Sequence, residues 1–480
     1  MAEPFSPRLF RAREKRLSGT AASSVVVLFG ALALGGCATY HPQPLDAAAV
    51  AAALPAPKLE TVRIAASELD HPLIPPVVID GRGGFSADEI AVITVVTSPR
   101  LRALRDQRGV ARAQIVQAGI LPNPQLGASL DQLHGGNAAT LDPALIDGRS
   151  LGLSWEVTSL LTRHDKVAAA RATAGALDLS IAWQEWQAAQ EARLRAFRLL
   201  SLEQRLPLAR EIEDDLAQNA KLIHRALALG QKTTSDLTLA ITAWTQAQAD
   251  RLTLEQQLNA DRTALDIGLG QPADAPLRLK SSPSNISAIT FGEAAPLLDG
   301  LEKRRLDLVA LRLGYESEEA TLRAAVKAQF PKIGLSFAKA NDTSDVRTRS
   351  FGVTLDLPLF DRNQGQIAVG RATRQQLFDE YVARVAEARA EVSQVLAALT
   401  STRAQIQAVS ESLPDLAQLA AALEKTFRSG NVDVLVYREA RDALATRRIE
   451  LSRLQQAFVE LEIALEIATG RPQLDRENQS

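Results

Sequence analysis

In the stretch RSFGVTLDL (residues 349–357), polar or small residues alternate with large apolar side chains from Ser350 onward. Phe351, Val353, Leu355 and Leu357 occupy the apolar positions, and serine, glycine, threonine and aspartate lie between and before them. This two-residue period predicts a β-strand with one apolar face. The long tracts on both sides are rich in Ala, Leu, Arg, Glu and Gln, a composition typical of helices. We therefore expect a mostly α-helical chain with a small β part.

The same strand pattern occurs a second time in the chain. RSLGLSWEV (149–157) matches RSFGVTLDL at an offset of 200 residues, and each copy follows a further alternating segment. The offset also pairs Gly230 with Gly430 and Gly270 with Gly470. Self-similarity at a fixed offset indicates an internal repeat. The sequence thus predicts a tandem structural repeat with four strands in total.

Both repeats are predicted to run helix, strand, turn, strand, very long helix, tight turn and long helix. The first repeat covers residues 86–270 and the second covers residues 292–472. Pro207 and Pro414 are expected to kink or interrupt the very long helices. Heptad-spaced leucines in the last helix predict coiled-coil packing. Strands are expected near 123–133, 149–158, 331–340 and 349–357, and long helices at 163–229, 234–268, 362–429 and 433–469.

The N-terminus has the features of an export signal. Residues 1–36 begin with several basic side chains, continue with a short apolar run and end in Leu-Gly-Gly before Cys37. The apolar run is shorter than the roughly 20 residues that a bilayer span needs. Leu-Gly-Gly-Cys resembles the bacterial lipobox, which implies a signal peptide and a fatty acid such as palmitate on Cys37; an incidental thiol is the alternative. We expect a Pro-rich extended arm from the lipid anchor at 37–85, a linker at 271–291 and a tail at 473–480.

The sequence carries no pattern for catalysis or for tight metal binding. Its net charge is −2, so no electrostatic argument favours nucleic acid. Its five scattered histidines and single cysteine have no metal-site spacing. We therefore expect neither an enzyme nor a cofactor. Glu213, Asp214 and Asp215 form a charge run that is predicted to be a solvated helix face.

The four strands have the length that a membrane strand needs. A tilted strand of about 9–11 residues crosses a bilayer, and lipid tolerates no unpaired backbone. Four strands cannot close by themselves, since the smallest transmembrane barrels have about eight. Two copies of the chain would give eight strands with a filled interior, whereas three would give twelve and leave an opening. The alternative is a four-stranded sheet that packs against helices in a soluble domain.

The repeat resembles the TolC-type outer-membrane factor family, which forms the exit ducts of tripartite efflux systems. The resemblance covers residues 86 to 472, and no single motif decides it; order, duplication and spacing do. The segments that carry it are AGILPNPQL (118–126), DLPLFDRNQGQIAVGRA (356–372), ALGQKTTSDL (228–237) and RSGNVDVL (428–435).

The resemblance implies a homotrimer in the outer membrane. Its twelve-stranded transmembrane barrel would continue as a coiled-coil α-helical tunnel in the periplasm. A periplasmic adaptor and an inner-membrane pump, of the resistance–nodulation–division (RND) type, would open this passive duct to small toxic compounds or metal ions. LFDRNQG is most similar to the heavy-metal RND branch, but a drug or solvent branch stays open. For Asp361 and Asn363 in this stretch we expect helix capping.

The resemblance also assigns roles at the two helix-hairpin tips. Gly230 and Gly430 lie at the tight turns and are expected to contact the adaptor. Asp433, and at the first tip Asp236, are expected to form the periplasmic gate. The alternative for both aspartates is helix N-capping, where a carboxylate favours the positive end of the helix dipole.

Two other classes of envelope protein share some of these features. A periplasmic adaptor also has a lipobox and a helical hairpin, but it has one hairpin between other domains rather than a strict duplication. A structural coiled-coil lipoprotein would lack the strands. Migration as a heat-resistant trimer on a gel would separate the duct from both.

Overall fold

Helices dominate the computed structural model, which describes residues 38–53, 58–132, 146–271, 277–280, 294–429 and 431–471. The expected signal peptide, Cys37, the tip glycine Gly430, most of the linker and the C-terminal tail lie outside these residues. The chain divides into two units, residues 1–55 and 56–480. The described part of the first unit holds one helix, α1 (Ala47–Ala53), whose first turn is capped by Asp46.

The second unit contains both repeats. Its helices are α2 (Leu59–Ser67), α3 (Ala87–Thr97), α4 (Pro99–Gly119), α5 (Ser159–Ala228), α6 (Thr234–Leu269), α7 (Ala294–Leu298), α8 (Leu301–Arg304), α9 (Leu306–Lys327), α10 (Gln364–Arg428) and α11 (Val434–Thr469). Its strands are β1 (Gln125–Asp131), β2 (Gly148–Glu156), β3 (Lys332–Asn341) and β4 (Arg347–Asp356). The expectation of a mostly α chain with a small β part is therefore confirmed.

The two repeats fold alike. Each places two strands between a helix of about twenty residues and a very long helix, and each ends in a return helix of 36 residues. The return helices end at Gly270 and Gly470, both with positive φ. A Cβ on Gly270 would lie 2.8 Å from the Pro99 ring at the start of α4, and one on Gly470 would lie 3.2 Å from the Arg304 carbonyl just before α9. Glycine is needed at both positions for the same reason: the backbone has a positive φ, and the end of each return helix lies in close contact with the first part of its own repeat.

The very long helices continue through their prolines. α5 has 70 residues and includes Pro207, and α10 has 65 residues and includes Pro414. Neither proline interrupts its helix, so that part of the expectation is wrong, and the kink stays a prediction. A proline removes one backbone hydrogen bond at a cost of about 3 kcal/mol. Packing along α5, which contacts α6, α9 and α11, offsets that cost: Leu206 and Ala209 on either side of Pro207 are buried.

Part of the expected extended arm is folded. Residues 59–67 form α2, and the Pro-rich stretch after it is packed against α5. His71 Nδ1 accepts hydrogen bonds from the backbone N–H groups of Leu73 and Ile74, both at 3.0 Å, and its Nε2 lies 3.0 Å from the Ala182 carbonyl. This pattern requires the neutral ring with the proton on Nε2. Burial lowers the pKa of His71 accordingly. The prolines did not produce an arm because the apolar residues among them are buried.

The strands form one antiparallel sheet in the order β1-β2-β3-β4. The middle pair joins the repeats: Leu153 of β2 lies opposite Phe337 of β3. β1 and β4 are therefore the two edges of the sheet. Among the described residues, no helix is both long enough and apolar enough to cross a membrane.

Candidate functional site

The sheet has one apolar face and one face of small polar residues. Strand register places Leu126, Leu153, Phe337 and Phe351 side by side across all four strands. These side chains are about half to three quarters exposed, from 48% for Leu153 to 72% for Phe351. A row of exposed large apolar side chains that runs across a whole sheet marks a surface made for lipid or for a partner.

Along the middle of the sheet the opposite face is lined by glycine, serine, threonine and alanine, and charged side chains lie on it towards the strand ends, among them Glu156, Lys332 and Asp356. Gly152 faces this side between Gly127 and Ala338 on the neighbouring strands. A Cβ on Gly352 would lie 2.6 Å from the Ser336 hydroxyl oxygen, so only glycine fits there without displacing that side chain. Small side chains project only a short distance from the sheet, which suits a surface that encloses an open interior.

The sheet joins the helices through a short hydrogen-bonded corner. Glu156 at the end of β2 accepts a hydrogen bond from the Thr158 backbone N–H at 2.6 Å. The Val157 N–H donates to the Ile333 carbonyl on β3 at 2.9 Å. These bonds fix the start of α5 relative to both repeats, so the sheet and the long helices are held as one continuous wall.

The capping expectation for Asp361 and Asn363 is correct in position only. Asn363 is the residue before α10, with a left-handed backbone (φ 59°), but its side chain makes no cap hydrogen bond. Instead its amide donates to the Ala325 carbonyl on α9 at 2.8 Å, and Asp361 accepts from the Asn363 N–H at 2.9 Å. The amide is used for a tertiary contact because α9 ends directly beside the start of α10.

The first helix-hairpin tip lies at Gly230. Its φ is +73°, its N–H donates to the Leu227 carbonyl at 2.9 Å, and the next N–H donates to Ala226 at 2.9 Å. This is the Schellman pattern that glycine favours. At the second tip Asn431 N–H donates to Thr426 at 3.0 Å, the equivalent bond, while Gly430 itself lies outside the described residues.

Both candidate gate aspartates cap the helices that follow the tips. Asp433 is the N-cap of α11 and accepts from the Leu435 N–H at 2.9 Å. Asp236 forms a capping box with Thr233 at the start of α6. Hydrogen bonds from Thr233 lower the pKa of Asp236. Asp433 is exposed and Asp236 is half-buried, and each lies near its tip, so capping leaves the charge of both carboxylates within reach of solvent.

An ion-pair cluster joins α5 to α11 between the tips and the sheet. Arg441 of α11 contacts Glu211 and lies 3.4 Å from an Asp215 carboxylate oxygen. Arg438 donates to the Asp215 carbonyl at 2.9 Å. Burial raises the pKa of Asp442 to about 6, and the nearby Asp215 carboxylate adds to that shift. We refer to these five residues as the α5–α11 cluster.

The cluster corrects the expectation for the charge run 213–215. Asp214 is exposed as expected, but Asp215 is buried at 7% exposure. Glu213 is mostly buried and paired with Arg251 of α6. The run therefore does not form a solvated face, because two of its carboxylates point at arginines on neighbouring helices. The arginines that pair with this run, Arg251 of α6 and Arg441 of α11, are visible in the sequence. The sequence does not show which helices lie side by side, so it could not predict these pairs.

Further buried ion pairs midway along the long helices were also missed. Arg193 of α5 contacts Asp88 of α3 at 2.7 Å and Glu466 of α11 at 2.9 Å. Arg305, 1% exposed, pairs with Asp307 at 2.7 Å and Glu391 at 2.6 Å. Breaking such pairs leaves a buried charge and is strongly destabilising. These pairs fix the relative positions of the helices. The sequence pattern predicted the helices themselves but not which of them are neighbours.

No group of three or more His, Cys, Asp or Glu residues suited to a metal ion occurs among the residues that the structure describes. His71 is engaged in the fold, and His164 and His224 are exposed on α5.

Comparison with known proteins agrees with this architecture. Residues 297–471 match the family described as "Outer membrane efflux protein". The chain is similar to the cobalt-zinc-cadmium resistance protein CzcC of Cupriavidus metallidurans, with 22% identity over 390 residues that cover 80% of this chain and 90% of CzcC.

Solved structures share the fold. The structure of CusC has a TM-score of 0.63 at 20% identity and covers 85% of this chain and 99% of its own. The outer membrane protein VceC of Vibrio cholerae has a TM-score of 0.62 at 19% identity and covers 80% of this chain and 96% of its own. The repeat, the fold and these matches lead to one conclusion: residues 297–471 match the outer membrane efflux protein family, and the chain as a whole is similar to TolC-type outer membrane factors.

Proposed function

We propose that this chain is the outer-membrane exit duct of a tripartite efflux system. It would act as a homotrimer and as a passive conduit that performs no chemistry. The observation that carries this proposal is the four-stranded sheet with two open edges and an exposed apolar face. In water the open edges of such a sheet invite pairing with another chain, and in lipid unpaired edges are forbidden.

A barrel formed with further copies of the chain would pair the open edges of the sheet and cover its apolar face with lipid. β4 of one copy would pair with β1 of the next, which satisfies the edge backbone groups. With four strands a copy, three copies give twelve strands and an open interior, whereas two give eight and a filled one. The small polar face then lines the interior, and the apolar face meets lipid.

The helices extend this opening into the periplasm. α5 has 70 residues, which corresponds to about 105 Å at 1.5 Å per residue. That is several times the thickness of a bilayer. Since the helices join the strands at one end of the sheet only, they would lie on the periplasmic side. The hairpin tips at Gly230 and Gly430 would then be offered to a periplasmic adaptor and an RND-type pump.

The cargo is proposed as small toxic compounds or metal ions. Similarity to CzcC, a protein named for cobalt, zinc and cadmium resistance, favours the metal branch. The described wall has no metal-ligand group, which suits a conduit that must not retain its cargo. Cys37, followed by Ala38, would carry the lipid that anchors the N-terminus in the outer membrane.

Reconstitution tests the duct directly. Purified full-length protein added to a planar bilayer of neutral phospholipid should give stepwise conductance, small in the closed resting state. Thr354→Arg places a long cation on the interior face and should lower the single-channel conductance. The matched change Thr173→Arg, on exposed α5 surface outside the sheet, should leave it unchanged. Absence of conductance steps from protein that has inserted would contradict the duct.

A further inference from the structure

The apolar face of the sheet ends in a cluster of positive charges near the β-hairpin turns. On this face the first residue of β2 and the first two residues of β4 are arginines, and the residue before the last one of β3 is a lysine. All four side chains are exposed. We call this cluster the basic rim; it consists of Arg149, Lys339, Arg347 and Arg349.

Strand register brings these residues together on one face. Lys339 lies directly opposite Arg349, and Asn341 lies between Arg149 on β2 and Arg347 on β4. Neighbouring strands are about 4.8 Å apart and successive same-face residues about 6.6 Å apart. The four charges therefore share a patch of about 10 Å by 7 Å at their Cα atoms.

The arrangement is unfavourable without an anion. Like charges directly opposite one another destabilise an antiparallel pair. Over the part of the chain that the structure describes, no ion pair joins a rim residue to a carboxylate. The two carboxylates in the turn between β3 and β4 are engaged with that turn: Asp342 accepts from the backbone N–H groups of Ser344 and Val346, and Asp345 accepts from the Asn341 amide.

The charge is confined to one end of the apolar face. At the other end, next to the helices, the same face carries Trp155, Ile333 and Leu355, and exposed Phe330 and Phe360 follow. From Lys339 to Phe330 the chain runs nine residues, about 30 Å along the strand and about 22 Å in height at a tilt near 40°. This approximates the apolar band of about 25 Å on membrane barrels.

We propose that the basic rim binds the phosphate groups of lipid headgroups in the outer leaflet, with the acyl chains lying on the apolar face below. The proposal rests on the proposed function, since that function places the hairpin turns at the outer surface. Arginine and lysine on one flat patch suit a headgroup with two phosphates, because charge-assisted contacts form to each. The apolar row beside them gives the same molecule a second, non-polar contact.

The test uses native mass spectrometry of the detergent-solubilised full-length assembly. The probes are diphosphoryl lipid A, monophosphoryl lipid A and phosphatidylcholine. The protein is expected to bind them in that order of affinity, with binding of the diphosphoryl form weakened by added salt. The variant Arg149→Gln/Lys339→Gln/Arg347→Gln/Arg349→Gln should bind diphosphoryl lipid A about tenfold more weakly or worse, and phosphatidylcholine unchanged.

Matched variants keep the test sharp. Lys332→Gln lies on the same strand as Lys339 but on the other face and at the other end, and it should bind all three probes as the parent does. Arg347→Lys/Arg349→Lys retains the charge and should keep most of the affinity. If the fourfold variant does not fold, Arg349→Gln alone and the salt dependence of the parent give the same answer.

Several results would overturn the proposal. Equal affinity of the parent for all three lipids, or equal loss of phosphatidylcholine in the fourfold variant, would leave only an apolar surface. Full displacement of diphosphoryl lipid A by inorganic phosphate would indicate a bare anion site. Failure of the parent to bind any lipid or to insert into bilayers would contradict the proposed function itself, which separates the two failures.

Discussion

Single residues near the helix tips combine two tasks. Asp433 and Asp236 cap helices, and capping alone explains why an acidic residue stands at each position. A capping carboxylate keeps its negative charge. Asp433 or Asp236 could therefore cap a helix and also belong to a ring of carboxylates around a channel axis. A substitution that removes the charge but keeps the cap therefore distinguishes a role in the gate from a role in capping.

Asparagine makes that separation at the second tip. Asp433→Asn should keep α11 capped, because Asn caps as well as Asp, yet should reduce the block of single-channel current by divalent or trivalent cations. Asp433→Ala should reduce block equally and also cost about 1 kcal/mol of helix stability. Bilayer recordings measure the block. Unchanged block in Asp433→Asn, with the loss found in Asp236→Asn or in neither, would return Asp433 to a purely structural role.

The α5–α11 cluster predicts a pH effect at one residue. The folded-state pKa of Asp442, about 6, lies above its ordinary value, so the fold binds an extra proton in this range. Stability contributed by Asp442 is therefore full at low pH and is lost as pH rises towards and through about 6. Asp442→Asn should raise stability at pH 7 by about 1 kcal/mol, after allowance for solvent screening, with little effect near pH 4.

Thermal unfolding of the purified assembly at both pH values measures this effect. Asp214→Asn, an exposed carboxylate on the neighbouring helix, is the control and should change neither midpoint. A midpoint gain for Asp442→Asn that is the same at low and neutral pH would show that Asp442 titrates normally.

At the scale of elements, the face of each strand decides its environment. Leu153→Arg or Val353→Arg puts a charge on the apolar face and should hinder insertion by about 2–4 kcal/mol near the bilayer midplane. Ser154→Arg or Thr354→Arg, one position away, puts the same charge on the polar face and should insert but narrow the pore. Outer-membrane fractionation and gel migration measure insertion. Equal tolerance of both pairs would mean that the apolar face does not meet lipid.

Alternation and repeat spacing could be read from the sequence because they are local. The observed strands β2 and β4 overlap the predicted ranges, and the two alternating segments before them became β1 and β3. Contacts between elements that are distant in the sequence could not be predicted from such local patterns. Examples are the burial of Asp215 by Arg441, the packing of the Pro-rich stretch through His71, and the use of Asn363 for a contact with α9. Each depends on which helices become neighbours.

At the scale of the whole molecule, the proposed lipid on Cys37 would anchor the duct in the outer membrane. Cys37→Ser should abolish fatty-acid labelling of the mature protein, since the lipobox cysteine is the attachment point. The strands carry their own apolar band, so the unlipidated variant should still insert. Metabolic labelling with a radiolabelled or clickable palmitate analogue measures this. Labelling that persists in Cys37→Ser would refute the anchor.

The assembly of three chains into one wall is the central claim. A single four-stranded sheet leaves the edges β1 and β4 open, and only further copies can pair them in lipid. Native mass spectrometry of the full-length protein, released gently from detergent, counts the chains in the intact assembly. Three chains in one non-covalent complex is the predicted result. A dominant monomer, dimer or tetramer would contradict it.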